Sequence, residues 1–173
     1  GTRFIFLQQY GWDHHSKIYE PQNHWQHSRV LDQALGALLE DLANTKRANG
    51  KSLLDETLVI CLGEFGRTPG DINSLKGRDH YQHAYTGLFA GGGVKGGQII
   101  GRTDDIGAKV VDSGWDVKRP IFMEDIATTV YSALGIDWKK SVKTTPSGRE
   151  FFYVEPVAAQ AVQANREISV LFG

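Results

Sequence analysis

The run "TLVICL" at 57–62 is continuous in apolar and β-branched residues and stops abruptly at "GEFGRT". It is too short for a stable helix, and it fits a strand covered on both faces rather than one alternating between core and water. Comparable runs predict strands at about 3–8 ("RFIFLQ"), within 85–92 ("YTGLFAGG"), within 96–103 ("GGQIIGRT") and within 149–156 ("REFFYVEP"). Two segments carry a helical period instead. Val30, Leu31, Ala34, Leu35, Leu38, Leu39 and Leu42 predict a helix over about 28–47, capped near Ser28 and stopped by Asn49-Gly50. "EDIATTVYSALGI" (124–136) predicts a second, with Ile126, Val130, Tyr131 and Leu134 as its stripe. Its first turn holds Glu124 and Asp125, and Gly135 stands where a left-handed terminating residue belongs. Buried strands interspersed with helices predict a layered α/β domain with 57–62 inside its sheet.

Composition narrows the function classes. With 173 residues, 40% apolar and 23% charged, the chain suits one folded domain. A net charge of −1, from 19 basic and 20 acidic residues, gives no electrostatic case for nucleic acid or an anionic membrane surface. No run approaches the roughly 18 apolar residues of a membrane-spanning helix. Cys61, alone inside "TLVICL", reads as a small buried hydrophobe. Two helices are few to cover a sheet, so exposed apolar surface and an unpaired strand edge are expected, and with them a homo-oligomer.

The chemistry lies in the loops that leave the strands, the usual place for ligands in α/β folds. "GWDHH" comes after the first run, where Asp13 and His15 can offer a carboxylate oxygen and an imidazole nitrogen to one cation. His14 should point the opposite way on an extended chain. The competing reading has Asp13 capping a turn and the histidines solvated. In "GEFGRT", Glu64 stands one residue past the strand, after Gly63, and Arg67 can fork onto a carboxylate or an oxyanion, or pair structurally with Glu64. "GRDHYQH" adds Arg78, Asp79, His80 and His83; an Asp beside a His can ligate, orient an imidazole, or fold a turn. His24 and His27, near Trp25, read as surface or packing residues. "AGGGVKGG" lacks the Gly-Lys-Ser/Thr ending of a phosphate loop, and no Gly-x-Ser-x-Gly elbow is present.

The ordered motifs GWDHH, LLDETLVICLGEFGRTP, GRDHY, AGGGVKGGQIIGRTD, DIATTVYSALGID and TPSGREF resemble the DUF1501 family, bacterial proteins related to the alkaline phosphatase and sulfatase superfamily. The resemblance covers about residues 4–155. It implies a three-layer αβα sandwich of the alkaline phosphatase type, here incomplete, with metal ligands on loops at one sheet edge. By position, Asp13 and His15 match a Gly-Trp-Asp-Thr-His motif in which His14 replaces threonine. Glu64 and Arg67 match Gly-Glu-Phe-Gly-Arg-Thr. Arg78, Asp79 and His80 match Gly-Arg-Asp-His-Trp, with Tyr81 in place of tryptophan. The implied function is metal-dependent hydrolysis of small anionic phosphate or sulfate esters by the full-length protein. Asp13, His15, Glu64 and His80 would hold a divalent ion, zinc or manganese rather than calcium, and Arg67 and Arg78 would clamp the anion. Family members are normally longer, and in the superfamily the N-terminal half supplies the first metal-binding aspartate and the nucleophile. Residues 1–155 are therefore expected to be the C-terminal part of such a domain, inactive alone, and 156–173 a polar linker with a short closing segment. A non-catalytic module binding an anion or a protein through Arg67, Arg78, Trp12, Tyr81 and Tyr85 is the alternative.

Overall fold

In a computed structural model of the chain, the described residues are 2–156 and 165–172. They form a mixed α/β structure with two α-helices and four two-stranded antiparallel ladders. An irregular turn at Pro21–Trp25 leads into α1, Gln26–Asn44. β1 (Val59–Leu62) pairs with β4 (Gly87–Ala90), Val59 opposite Ala90. β2 (Gly66–Arg67) pairs with β3 (His80–Tyr81), β5 (Arg102–Thr103) with β6 (Val110–Asp112), and β7 (Ser141–Val142) with β8 (Phe151–Phe152). Helix α2, Met123–Ala133, lies between the last two ladders in sequence.

Several predicted elements change on folding. The run at 57–62 does form a strand, but among the described residues β1 has only β4 beside it, so it belongs to a ribbon rather than to the inside of a sheet. The strand predicted at 3–8 is not formed. Phe4, Ile5, Phe6 and Leu7 are 66–78% exposed and join no ladder. A strand cannot satisfy its own backbone, so an apolar run becomes one only where a partner edge is present. Within 96–103 only Arg102–Thr103 is in a ladder, and within 149–156 only Phe151–Phe152.

Helix α1 starts before Ser28 and stops at Asn44, where Thr45 turns extended and its hydroxyl donates to the Asp41 carbonyl at 2.7 Å. Asn49-Gly50 makes the next turn instead, with Gly50 at φ +82°, and the Lys46–Ser52 bridge closes it. Helix α2 ends as expected, with Gly135 at φ +72°.

The core is built on α2 and the C-terminal segment. Ile126, Ile168 and Leu171 are buried together, and Leu62, Phe89, Tyr85 and Trp115 pack against them. The predicted polar linker at 157–164 lies outside the described residues, but the closing segment from Asn165 onward is docked on α2. Asp125, fully buried, accepts a bidentate pair from Arg119 at 2.6 and 2.8 Å, the Phe122 amide at 2.8 Å and the Arg166 amide at 2.8 Å. Arg119 itself lies over the Trp115 and Phe122 rings. Thr129 Oγ1 receives the Ile168 amide at 2.9 Å, and Glu167 accepts from Ser132 and Trp138. One carboxylate thus ties the start of α2, the loop before it and the closing segment into a unit.

The N-terminal part of the chain is less covered. No residue of α1 is buried. The surface totals 12468 Å², against about 8,400 Å² for a folded monomer of this 19.2 kDa mass. Phe4–Leu7, Trp25, Val30 and Ile99 are among the exposed large apolar residues.

Removing the buried carboxylate tests the closing unit. Asp125→Ala takes from Arg119 its bidentate carboxylate and from the Phe122 and Arg166 amides their acceptor. We expect urea denaturation to show a loss of about 3–5 kcal/mol; a loss below about 1 kcal/mol would contradict the role given to Asp125.

Candidate metal centre

Two antiparallel seams assemble the cluster. In the first, β2 and β3 set Arg67 directly opposite His80, so both side chains rise from one place on the ladder. Thr68 extends it: its amide donates to the Asp79 carbonyl at 2.9 Å and its hydroxyl accepts the Asp79 amide at 3.1 Å. In the second seam, residues 14–18 run against 75–78. The Arg78 amide donates to His14 O at 3.1 Å, Lys17 to Leu75 O at 3.0 Å and Ile18 to Lys76 O at 2.9 Å. Gly77 is buried in this seam, and a Cβ there would stand 2.0 Å from the His15 carbonyl carbon. No other residue fits that approach.

The seams bring three ligand-type atoms together. His80 Nε2 is 2.8 Å from Asp13 Oδ1, His15 Nε2 is 3.1 Å from the same oxygen, and the two imidazole nitrogens are 3.1 Å apart. Arg67 Nη2 donates to that Asp13 oxygen at 2.7 Å. The second nitrogen of His15, Nδ1, is 2.8 Å from Asp79 Oδ1. An ionised carboxylate only accepts, so Nδ1 carries the proton and a neutral His15 presents a lone pair at Nε2. The Phe65 ring lies 4.3 Å from that of His80, backing it on one side.

The residues fit a divalent cation. Adjacent ligands on an ion with bonds of about 2.0–2.1 Å stand roughly 3.3 Å apart in a tetrahedron and about 3.0 Å apart in an octahedron. The observed edges of 2.8–3.1 Å need at most about half an ångström of opening. The donor set of two imidazoles and one carboxylate suits borderline transition metals. The Asp79–His15 contact is the carboxylate–histidine arrangement that commonly stands behind metal-ligating imidazoles. All three side chains are half-exposed, so the group is open to solvent.

Of the predicted ligands, Asp13, His15 and His80 form a single group within 4.8 Å. Glu64 is exposed at the bend after β1 and stands outside that group. Arg67 touches the group, and its remaining bonds go to the carbonyls of Trp12 and Arg78. Arg78 is turned to the Thr68 carbonyl at 2.5 Å and the Tyr19 hydroxyl at 3.3 Å, neither of them a ligand. His14 does point away: it stacks on His27, and burial depresses its pKa. His24 and His27 pack on Trp12. Sequence reasoning missed Asn73, whose oxygen accepts the Leu75 and Gly77 amides at 3.0 and 2.8 Å. The turn-like composition of "DINSLKG" was the available signal.

A mixed α/β chain with a candidate divalent-cation centre on its loops is thus defined. Residues 1–164 match the family described as "Protein of unknown function (DUF1501)", and the chain belongs to that family. No curated protein and no solved structure matches it.

Electrostatics give the cluster a pH signature. The His80 hydrogen bond, then that from Arg67, holds the Asp13 carboxyl well below its ordinary value of 3.8. The His15 hydrogen bond, then that of Asn73, depresses Asp79 in the same direction. A depressed carboxylate stabilises the folded arrangement above its unfolded pKa, and that contribution is lost as pH falls through the lower folded value. Carboxyl carbon NMR should therefore show Asp13 titrating below 3.8. His80→Ala should raise its midpoint more than Arg67→Ala does. An ordinary midpoint in the wild-type chain would contradict the geometry.

Proposed function

We propose that the chain is a divalent-metal-binding part of an ester hydrolase acting on phosphate or sulfate esters, built in the manner of the three-layer αβα alkaline phosphatases and sulfatases. The observation that carries this reading is the convergence of Asp13 Oδ1, His15 Nε2 and His80 Nε2 on one point. A divalent ion bound there would polarise an ester oxygen and acidify a water molecule. Imidazole nitrogens favour zinc or manganese over calcium, which prefers oxygen ligands throughout.

The chain's own residues supply orientation and charge. Arg67 keeps Asp13 ionised and aimed, and its fixed positive charge favours approach of an anionic ester. Phe65 limits the motion of His80. Glu64, one residue past the apolar run that forms β1, is the candidate for a further ligand or for a group that moves with substrate. Metal binding, rather than ester turnover, is the property these residues are expected to show. Both arginines are already engaged by protein acceptors, which favours the metal reading over a module whose guanidinium groups bind a free anion.

Calorimetric titration with zinc and manganese tests the reading. The wild-type chain should bind one ion, and Asp13→Ala or His80→Ala should weaken binding by roughly 100-fold. Glu64→Ala decides its role: weaker binding makes it a ligand, and unchanged binding leaves the three-residue site. No binding by the wild-type chain, or equal binding by His80→Ala, would overturn the proposal.

A further inference from the structure

We infer that Asp79 and Asn73 are positioning residues that lock His15 in the Nδ1–H tautomer, with its Nε2 lone pair facing Asp13 and His80; the inference rests on the metal reading for its purpose, though not for its test. His15 is about half-exposed, and a free imidazole in that setting can rotate and place its proton on either nitrogen. Here each link of a short chain has its polarity forced by the link before it.

The chain starts from the backbone. The Leu75 and Gly77 amides both donate, so the Asn73 side-chain atom that meets them must be the oxygen. The other end of the amide is therefore the NH2 group. It lies 3.1 Å from the His15 carbonyl, 3.3 Å from Asp79 Oδ1 and 3.4 Å from Asp79 Oδ2, and every one of these is an acceptor. Asp79 is held at its backbone as well, through the Thr68 hydroxyl and amide. Its carboxylate, held by Asn73, then accepts from His15 Nδ1 at 2.8 Å. In the neutral ring that bond leaves Nε2 without a proton and pointed at Asp13 Oδ1, 3.1 Å away. Two acceptors facing each other at that distance need a positive partner between or beside them. Arg67 and His80 supply hydrogens to the Asp13 oxygen, and a cation would supply positive charge to both acceptors.

A purely structural Asp79 would hold the loop without selecting a tautomer, so the tautomer is the discriminating readout. Long-range nitrogen–proton NMR on the metal-free chain should find His15 with its proton on Nδ1. In Asp79→Ala the proton should redistribute toward Nε2, while the backbone amide spectrum of β2 and β3 stays in place. Zinc affinity of the same variant should fall about 10–100-fold. A neutral wild-type His15 with its proton on Nε2, or an unchanged tautomer in Asp79→Ala, overturns the inference. The wild-type spectrum decides even if the variant does not fold. A wild-type chain that binds no zinc but loses the Nδ1–H tautomer in Asp79→Ala would support the positioning role and overturn the metal reading alone.

Discussion

The close approach of two backbones at Gly77 is the constraint on which the cluster depends. There the segment carrying Asp13 and His15 meets the segment carrying Asp79 and His80, with atoms where a side chain would otherwise stand. Because the seam is antiparallel and continues into the β2–β3 ladder, three distant stretches of sequence arrive in fixed register. Gly66 repeats the device on the other ladder, where a Cβ would collide with the Ala84 carbonyl. The side chains of the cluster are polar and half-exposed, so they receive little support from burial. Their positions come from backbone seams and from short hydrogen-bonded chains between side chains.

The stable pole of the molecule is elsewhere. Asp125 gathers α2, the Arg119 loop and the closing segment, and the buried Ile126, Ile168 and Leu171 lie beside it. The ladder β1–β4 links the poles, since Leu62 and Phe89 pack on that core while Glu64 and Phe65 lead straight to the cluster. The apolar residues at 4–7 and along α1 contribute little to either pole. Water is an unfavourable neighbour for so much apolar surface.

Local patterns with self-contained physics were legible in the sequence. The two helices announced themselves through their stripes, and Gly135 through the left-handed conformation it adopts. The pairing of Asp13 and His15, with His14 turned away, came from the alternation of an extended chain. Features that needed a partner were not legible. Residues 3–8 have the composition of a buried strand, yet no edge among the described residues pairs with them. Asn73 looked like an ordinary turn residue until the seam put Asp79 and His15 beside its amide. Arg67 and Arg78 look equivalent in sequence, and only the ladder shows that one reaches Asp13 and the other turns to Thr68 and Tyr19.

The central claim is that Asp13, His15 and His80 form one cation site, and anomalous X-ray diffraction from zinc-loaded crystals of the chain tests it most directly. The expected result is a zinc peak about 2.0–2.2 Å from His15 Nε2, His80 Nε2 and an Asp13 carboxylate oxygen. Zinc bound only at other residues, or these three side chains still bonded to one another at saturating zinc, would contradict the account.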